Sequence, residues 1–241
     1  ILQKELDEQI LTDGGHFELS PMYHQIILDR LLDVINLLQN NKVFIDQNQF
    51  LELCISKATK MLSWLNNITF LNGDIPHFND STNNIAPTTK QLFDYATNLN
   101  LSLNLNLNLS TSGYRKFKTN NYECIVDAGP VGPDYIPGHA HADMLSFVLY
   151  VDSKPFIVDC GVSTYEKNET RQKERSTISH NTVTINNRSQ SDVWGGFRVG
   201  KRAKIKIMRD TNTILEAEHN GYKPNTHKRQ FNFNQQDFSI I

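Results

Sequence analysis

Between residues 1 and 98, apolar side chains recur at helical spacing. Leu2, Leu6 and Ile10 stand four apart and form one stripe. Ser20-Pro21 has the form of a helix start, with serine as N-cap and proline at the first helical position. From there Ile27, Leu28, Leu31, Leu32, Ile35 and Leu38 give a broad apolar face to about Asn40. Asp46 followed by Gln49 resembles a capping box. It opens a third helix whose face includes Phe50, Cys54, Ala58, Met61, Leu62 and Leu65. A loop rich in Asn, Asp, Pro and Gly covers 66–87, and Pro87 precedes a short helix to about Asn98.

After residue 112 the pattern changes to short alternating runs. The spacing predicts strands at Tyr122–Val126, Met144–Val151, Phe156–Val158, Thr182–Ile185, Lys204–Met208, Ile214–Glu218 and Arg229–Phe233. Helices first and strands second indicate two domains or two layers, not alternating β/α units. The division falls near residue 110, with a helical part over 1–110 and an antiparallel sheet or sandwich over 111–241. At the junction, Leu99–Ser110 alternates Leu with Asn or Ser, a strand period written in a poor strand former. It reads as a low-complexity tract or a marginal edge strand.

Composition narrows the class. The chain has 241 residues, 24 Lys+Arg against 26 Asp+Glu, and a formal net charge of -2. Counterion release on nucleic acid needs a basic face, so a whole-chain nucleic-acid or membrane-surface binder is disfavoured. No run reaches the ~18–20 apolar residues of a membrane span. The three cysteines include no C-x-x-C pair, so they form neither a disulfide framework nor a cysteine-based zinc site. The chain opens on helix-patterned residues without an initiating Met and reads as a segment of a longer protein.

The densest chemistry is in Pro137-Gly138-His139-Ala140-His141-Ala142-Asp143. If this segment enters a strand, alternation puts His139, His141 and Asp143 on one face. Asp159 and His180 follow, and a His/Asp/His set suits zinc; surface or hydrogen-bonded core histidines are the alternative. Metallo-β-lactamase-type hydrolases share the H-x-H-x-D string but need a His directly after the Asp, where Met144 stands. In the helical half, Asp13–His24 gathers two His, a Glu and a Tyr. There Asp13-Gly14-Gly15 has turn chemistry, and Tyr23 is either a cleft residue or an interfacial aromatic.

Asp13–His24, Gly138–Phe147, Phe156–Tyr165, Arg175–Val183 and Gln190–Arg198, in this order, resemble the heparinase II/III-like family of polysaccharide lyases. The resemblance implies an α+β multidomain architecture: the C-terminal part of an (α/α) toroid followed by an antiparallel β-sandwich, with the glycan in the cleft between them. It implies β-elimination at a uronic acid of a glycosaminoglycan or alginate-like polymer. Tyr23 then corresponds to the catalytic tyrosine and His139 to the cleft histidine that assists proton transfer or neutralisation. Tyr165 stands where some of these lyases use a second tyrosine as base, with a buried strand-end tyrosine as the alternative.

By the same resemblance His141, Asp159 and His180 correspond to the ligands of a mostly structural zinc. His16, Arg171, Trp194 and Arg198 are candidates for sugar contact, the last three by stacking or carboxylate pairing unless they serve packing and surface. Glu18 and His24 are expected to be supporting residues. Two departures stand out. The neutralising Asn-His pair that the family carries before Asp13 is expected upstream of Ile1, and Cys160 stands where the family commonly has Pro. The partner implied is an acidic polysaccharide, without nucleic acid or a membrane span, and the location by analogy is periplasmic or secreted. A non-catalytic glycan-binding protein of the same fold and a zinc-dependent hydrolase are the competing readings.

Overall fold

The computed structural model describes residues 1–42, 44–102, 108–235 and 237–241. Four helices come first: α1 (Leu2–Gln9), α2 (Pro21–Asn40), α3 (Gln47–Ile68) and α4 (Thr89–Asn98). Helix α2 begins as its sequence dictates, with the Ser20 hydroxyl accepting from the Tyr23 N–H at 3.2 Å. The Asp46–Gln49 box does not form. Asp46 adopts φ -84°, ψ 32° and makes no side-chain cap bond, because its backbone lacks the extended geometry that aims a cap oxygen at the first turn. A reciprocal box caps α4 instead, between Thr88 and Gln91.

The second half opens with a meander, β1 (Tyr114–Lys118), β2 (Tyr122–Asp127), β3 (Phe147–Val151) and β4 (Lys154–Ile157), antiparallel throughout. Then come the short helix α5 (Glu169–Glu174) and a ribbon of β5 (Asp192–Trp194) and β6 (Arg198–Gly200). A second antiparallel sheet follows, in order β10-β9-β8-β7, from β7 (Ile205–Asp210), β8 (Ile214–Tyr222), β9 (Asn225–Phe233) and β10 (Phe238–Ile240).

Alternation along β2 explains how the layers join. Cys124 and Val126 face the second sheet and pack with Leu215, Ala217, Phe231 and Phe233. Ile125 faces the other way and joins Trp64, Leu65 and Tyr114 in the core that the helices bury. The middle of the first sheet is therefore covered on both faces, with every residue of β2 buried, while β4 at its edge is largely exposed. Glu123 lies on the helix side, where Lys116 meets its carboxylate at 2.8 Å.

Three expectations need correction. Residues 139–143 form no strand; they run as loop and turn, held by His141 N–H to Asn79 Oδ1 at 2.9 Å and Ala142 N–H to Arg175 O at 3.0 Å. Strand β3 starts at Phe147 and not at Met144, since Leu145 has φ 60° and breaks the extended run. Thr182–Ile185 is not a strand either, and only an isolated Ile185–Arg188 bridge occurs there. Side chains take the place of a ladder: Asn181 Nδ2 donates to Phe147 O and Val158 O, and Thr182 Oγ1 to Met144 O. Of the alternating tract Leu99–Ser110, residues 103–107 lie outside the described residues.

Candidate active site

The helical and sheet halves meet at the start of α2, and the capping serine does more than cap. Ser20 Oγ donates to Asp80 O at 2.7 Å and lies 2.9 Å from Ser81 Oγ. The first turn of α2 is thereby tied to the 79–81 loop, and Tyr23 is held at the N3 position of a rigid helix end. The Tyr23 ring stacks on His139, with centroids 4.0 Å apart and planes 12° from parallel. Its hydroxyl lies 3.1 Å from that of Tyr165. Glu18 Oε2 approaches His139 Nδ1 at 3.1 Å, near enough for charge attraction but off the direction of a hydrogen bond. Tyr23, His139 and Tyr165, separated by up to 142 residues, thus form one group.

Tyr165 is 39% exposed. Its ring stacks on Phe197 at 5.7 Å and receives the Arg171 guanidinium at 5.2 Å. Partial burial, then the bond to Tyr23, push its phenol further above the ordinary tyrosine range. Tyr165 therefore keeps its proton, and either hydroxyl of the pair can donate to the other.

Beneath this group lies Asp80, a fully buried carboxylate. Arg171 grips it with both terminal nitrogens, Nη2 at 2.7 Å from Oδ2, and His141 Nε2 sits 2.8 Å from Oδ1. Burial alone would raise the Asp80 pKa; the bonds from His141 and Arg171 outweigh it and hold the carboxyl below its usual range. Arg171 is itself buried and also donates to Gly196 O at 3.0 Å. The guanidinium expected to pair with a sugar carboxylate is thus already paired with a protein carboxylate.

His16 is likewise interior, 3% exposed, against the edge of Phe17 at 4.9 Å. Burial pulls its pKa to about 4. His24 is neutral by construction: Nδ1 accepts from the His16 N–H, which leaves the ring proton on Nε2, 3.0 Å from Met61 O. Burial lowers its pKa to about 3. Trp194 and Arg198 face one another across the β5–β6 ribbon. Both are exposed, Trp194 at 45%. Positive φ at Gly195 and Gly196 closes the turn between them, which brings Phe197 over Tyr165.

The expected metal residues adjoin this layer. His180 Nδ1 lies 2.9 Å from Asp159 Oδ2, and the His141 and His180 rings are 5.2 Å apart. Burial alone would lower the His180 pKa, but the Asp159 carboxylate more than offsets it and lifts the ring to about 9. His141 Nδ1, His180 Nε2 and Asp143 Oδ2 are buried without a partner, and unpaired buried donors and acceptors are costly enough to need an explanation. Among the described residues the donor atoms that converge are those of Asp159, Cys160 and His180, a set that fits a zinc-type ion, and His141 stands one ring away from it. The ligand atoms of Asp159, Cys160 and His180 all lie within 4.8 Å of one another.

A family model described as "Heparinase II/III N-terminus" matches residues 1–101, and one described as "Heparinase II/III-like, C-terminal" matches 106–241. The chain belongs to the heparinase II/III-like family. A heparin-sulfate lyase of Bacteroides stercoris is 25% identical over 266 residues, covering all of this chain and 38% of the relative. A heparin-sulfate lyase of Pedobacter heparinus is 24% identical over 214 residues, covering 78% of this chain and 31% of the relative. Among solved structures, a heparinase III superposes with a TM-score of 0.75 at 24% identity. A mutant heparan sulfate lyase from Pedobacter heparinus gives 0.73 at 24%; each covers 99% of this chain and 40% of the solved chain. The fold is thus the α+β arrangement of those structures, helices followed by an antiparallel sandwich, and the chain spans about two-fifths or less of the relatives it matches.

In this heparinase II/III-like chain the structure brings the candidates Tyr23, His139 and Tyr165 together and sets beside them Asp80 and Phe197, which the sequence did not single out. Asp80 sits in a loop of Asn, Asp and Ser whose composition marks only a turn. The length of that loop, near twenty residues without regular structure, was the usable signal.

Proposed function

We propose that this chain is part of a polysaccharide lyase that cleaves a uronate-containing glycan by β-elimination. The observation that carries this reading is the Tyr23 phenol stacked on His139 and within hydrogen-bond distance of Tyr165. Proximity of three proton-handling groups suits a reaction that removes one proton and delivers another. The proton on C5 leaves to a base, its electron pair forms the C4–C5 double bond, the C4–O4 bond breaks, and O4 takes a proton. Tyr23 is the acid/base. Because Tyr165 keeps its proton, it donates to Tyr23 Oη and stabilises the phenolate form, which is scarce for a free phenol with a pKa near ~10. His139, oriented by the Tyr23 ring and drawn by Glu18, assists proton transfer or neutralises the carboxylate. Trp194 and Arg198 on the exposed ribbon are the proposed sugar contacts.

His141, Asp159 and His180 are proposed to hold a zinc ion; their unpartnered ring nitrogens support this. When bound, the ion supplies a fixed positive charge that pins the 139–143, 159–162 and 180 loops together beneath Tyr23. The similarity to heparin-sulfate lyases favours a heparan-type sulfated glycan over alginate as substrate. A periplasmic or secreted location is proposed by the same analogy.

The test is turnover of heparan sulfate, chondroitin sulfate and alginate by the intact protein, followed by the ultraviolet absorbance of the unsaturated uronate. Absorbance that rises with wild type and is lost with Tyr23→Phe supports the reading. An intact rate in Tyr23→Phe refutes the assignment, and glycan binding without new double bonds identifies a non-catalytic glycan-binding protein.

A further inference from the structure

Of the three cysteines, two are core residues. Cys54 and Cys124 are completely buried among apolar side chains of the helical core and the sandwich, where a thiol behaves as a small hydrophobe. Cys160 is different. It is exposed, next to Asp159, and its Sγ–H donates to Gly161 O at 3.6 Å and Glu174 O at 3.7 Å.

The backbone that presents it is rigid. Gly161 has φ +57°, and a Cβ there would meet Ser81 O at 2.0 Å, so the chain passes directly against the 79–81 loop. Val162 N–H donates to Ser81 O at 3.1 Å, and Gly161 N–H to Asp159 Oδ1 at 3.2 Å. Asp159 and Cys160 are therefore held in one tight turn, facing His180.

The donor atoms converge. A carboxylate oxygen of Asp159, the Cys160 sulfur and a ring nitrogen of His180 all lie within 4.8 Å of one another. Around a tetrahedral zinc with bonds of about 2.0–2.3 Å, ligand atoms stand roughly 3.3–3.8 Å apart. Shifts of about 1 Å or less close the difference. His180 meets Asp159 through Nδ1 at 2.9 Å, while its Nε2 and, one ring away, His141 Nδ1 are buried polar atoms without partners.

We infer that Cys160 is a thiolate ligand of the divalent cation held by Asp159 and His180. This rests on the metal reading above and sharpens it. A sulfur donor beside nitrogen and oxygen selects zinc, cobalt or cadmium over the oxygen-seeking calcium and magnesium. It also adds a ligand on the solvent side, where the ion enters. On binding, the thiol releases its proton to solvent, so one Sγ–H bond is exchanged for one metal–sulfur bond.

The experiment is titration of the metal-free intact protein with Co2+, read by absorbance and by equilibrium dialysis. The expected result is one bound ion with visible d–d bands and a near-ultraviolet sulfur-to-cobalt charge-transfer band. Cys160→Ser loses the charge-transfer band, keeps cobalt binding, and weakens zinc affinity by at least about tenfold, the scale set by loss of outer partners of metal ligands. In wild type, zinc protects Cys160 from iodoacetamide, located by peptide mass, while Cys54 and Cys124 stay unreactive in either state. Cobalt bound without a charge-transfer band, with alkylation unchanged by zinc, overturns the thiolate and leaves the metal site standing on nitrogen and oxygen. No bound ion at all overturns both readings.

Discussion

The hydroxyls of Tyr23 and Tyr165 lie 3.1 Å apart, one on the first turn of a helix and the other on a loop 142 residues later. Each ring has its own support: His139 stacks on Tyr23, while Phe197 and Arg171 cover Tyr165. Two phenols so placed share one hydrogen bond, and burial with that bond pushes the Tyr165 phenol above the ordinary tyrosine range; the proposed roles of the two are unequal.

This inequality predicts unequal losses. Tyr23→Phe should lower kcat about 10²–10⁴-fold, the scale of a lost acid/base. Tyr165→Phe should cost about tenfold, one hydrogen bond to the reacting phenol. Steady-state rates of unsaturated-uronate release measure both, and equal losses would contradict the assignment of roles.

Asp80 is expected to act on stability. Removing its charge leaves the buried Arg171 without a counter-charge, so Asp80→Asn should lower the unfolding free energy by about 3–5 kcal/mol. Adding Arg171→Met should recover part of that loss, because the stranded charge is gone. Urea unfolding of the two variants tests this, and a single-variant loss under about 1 kcal/mol would show that the pair does not hold the loop.

Buried neutral histidines set the acid limit. In the unfolded chain imidazole takes a proton near pH ~6.5, whereas His16 resists to about 4 and His24 to about 3. Between those values the unfolded state binds more protons. The share of stability that these neutral histidines contribute is therefore complete above pH ~6.5 and falls as pH drops towards 4. His219 and His227, each lowered to about 4, add to the same window. His24→Gln should remove about one proton from the slope of stability against pH. Fluorescence of Trp64, whose ring is 4.3 Å from that of His24, follows the transition, and an unchanged slope would disprove the contribution.

Chelation should act on melting before turnover. If the ion pins loops and takes no part in proton transfer, a chelator lowers Tm by about 5 °C or more while activity persists below the new Tm. Calorimetry with parallel rate measurements at 25 °C decides it. Immediate loss of turnover without a change in Tm would favour a metal-dependent hydrolysis.

What could be read along the chain was short-ranged. Ser20-Pro21 starts a helix because a serine oxygen reaches an N–H three residues on, and the stripe from Leu28 to Leu38 faces inward because helices repeat every 3.6 residues. The motif order from Asp13 to Arg198 was legible in the same way and led to the family. Local pattern failed where distant atoms competed. Met144–Ser146 does not extend, since Leu145 turns back to Asp127 O. Thr182–Ile185 forms no ladder, since Asn181 and Thr182 reach the ends of other segments. Arg171, read as a sugar contact, is engaged by Asp80, 91 residues earlier. Periodicity reports which face of an element is apolar, because that depends on neighbours a turn or a strand step away. The partner of a buried charge is chosen by desolvation, which exists only once the layers close, so tertiary packing alone joined Asp80 to Arg171 and His141, and Tyr23 to Tyr165.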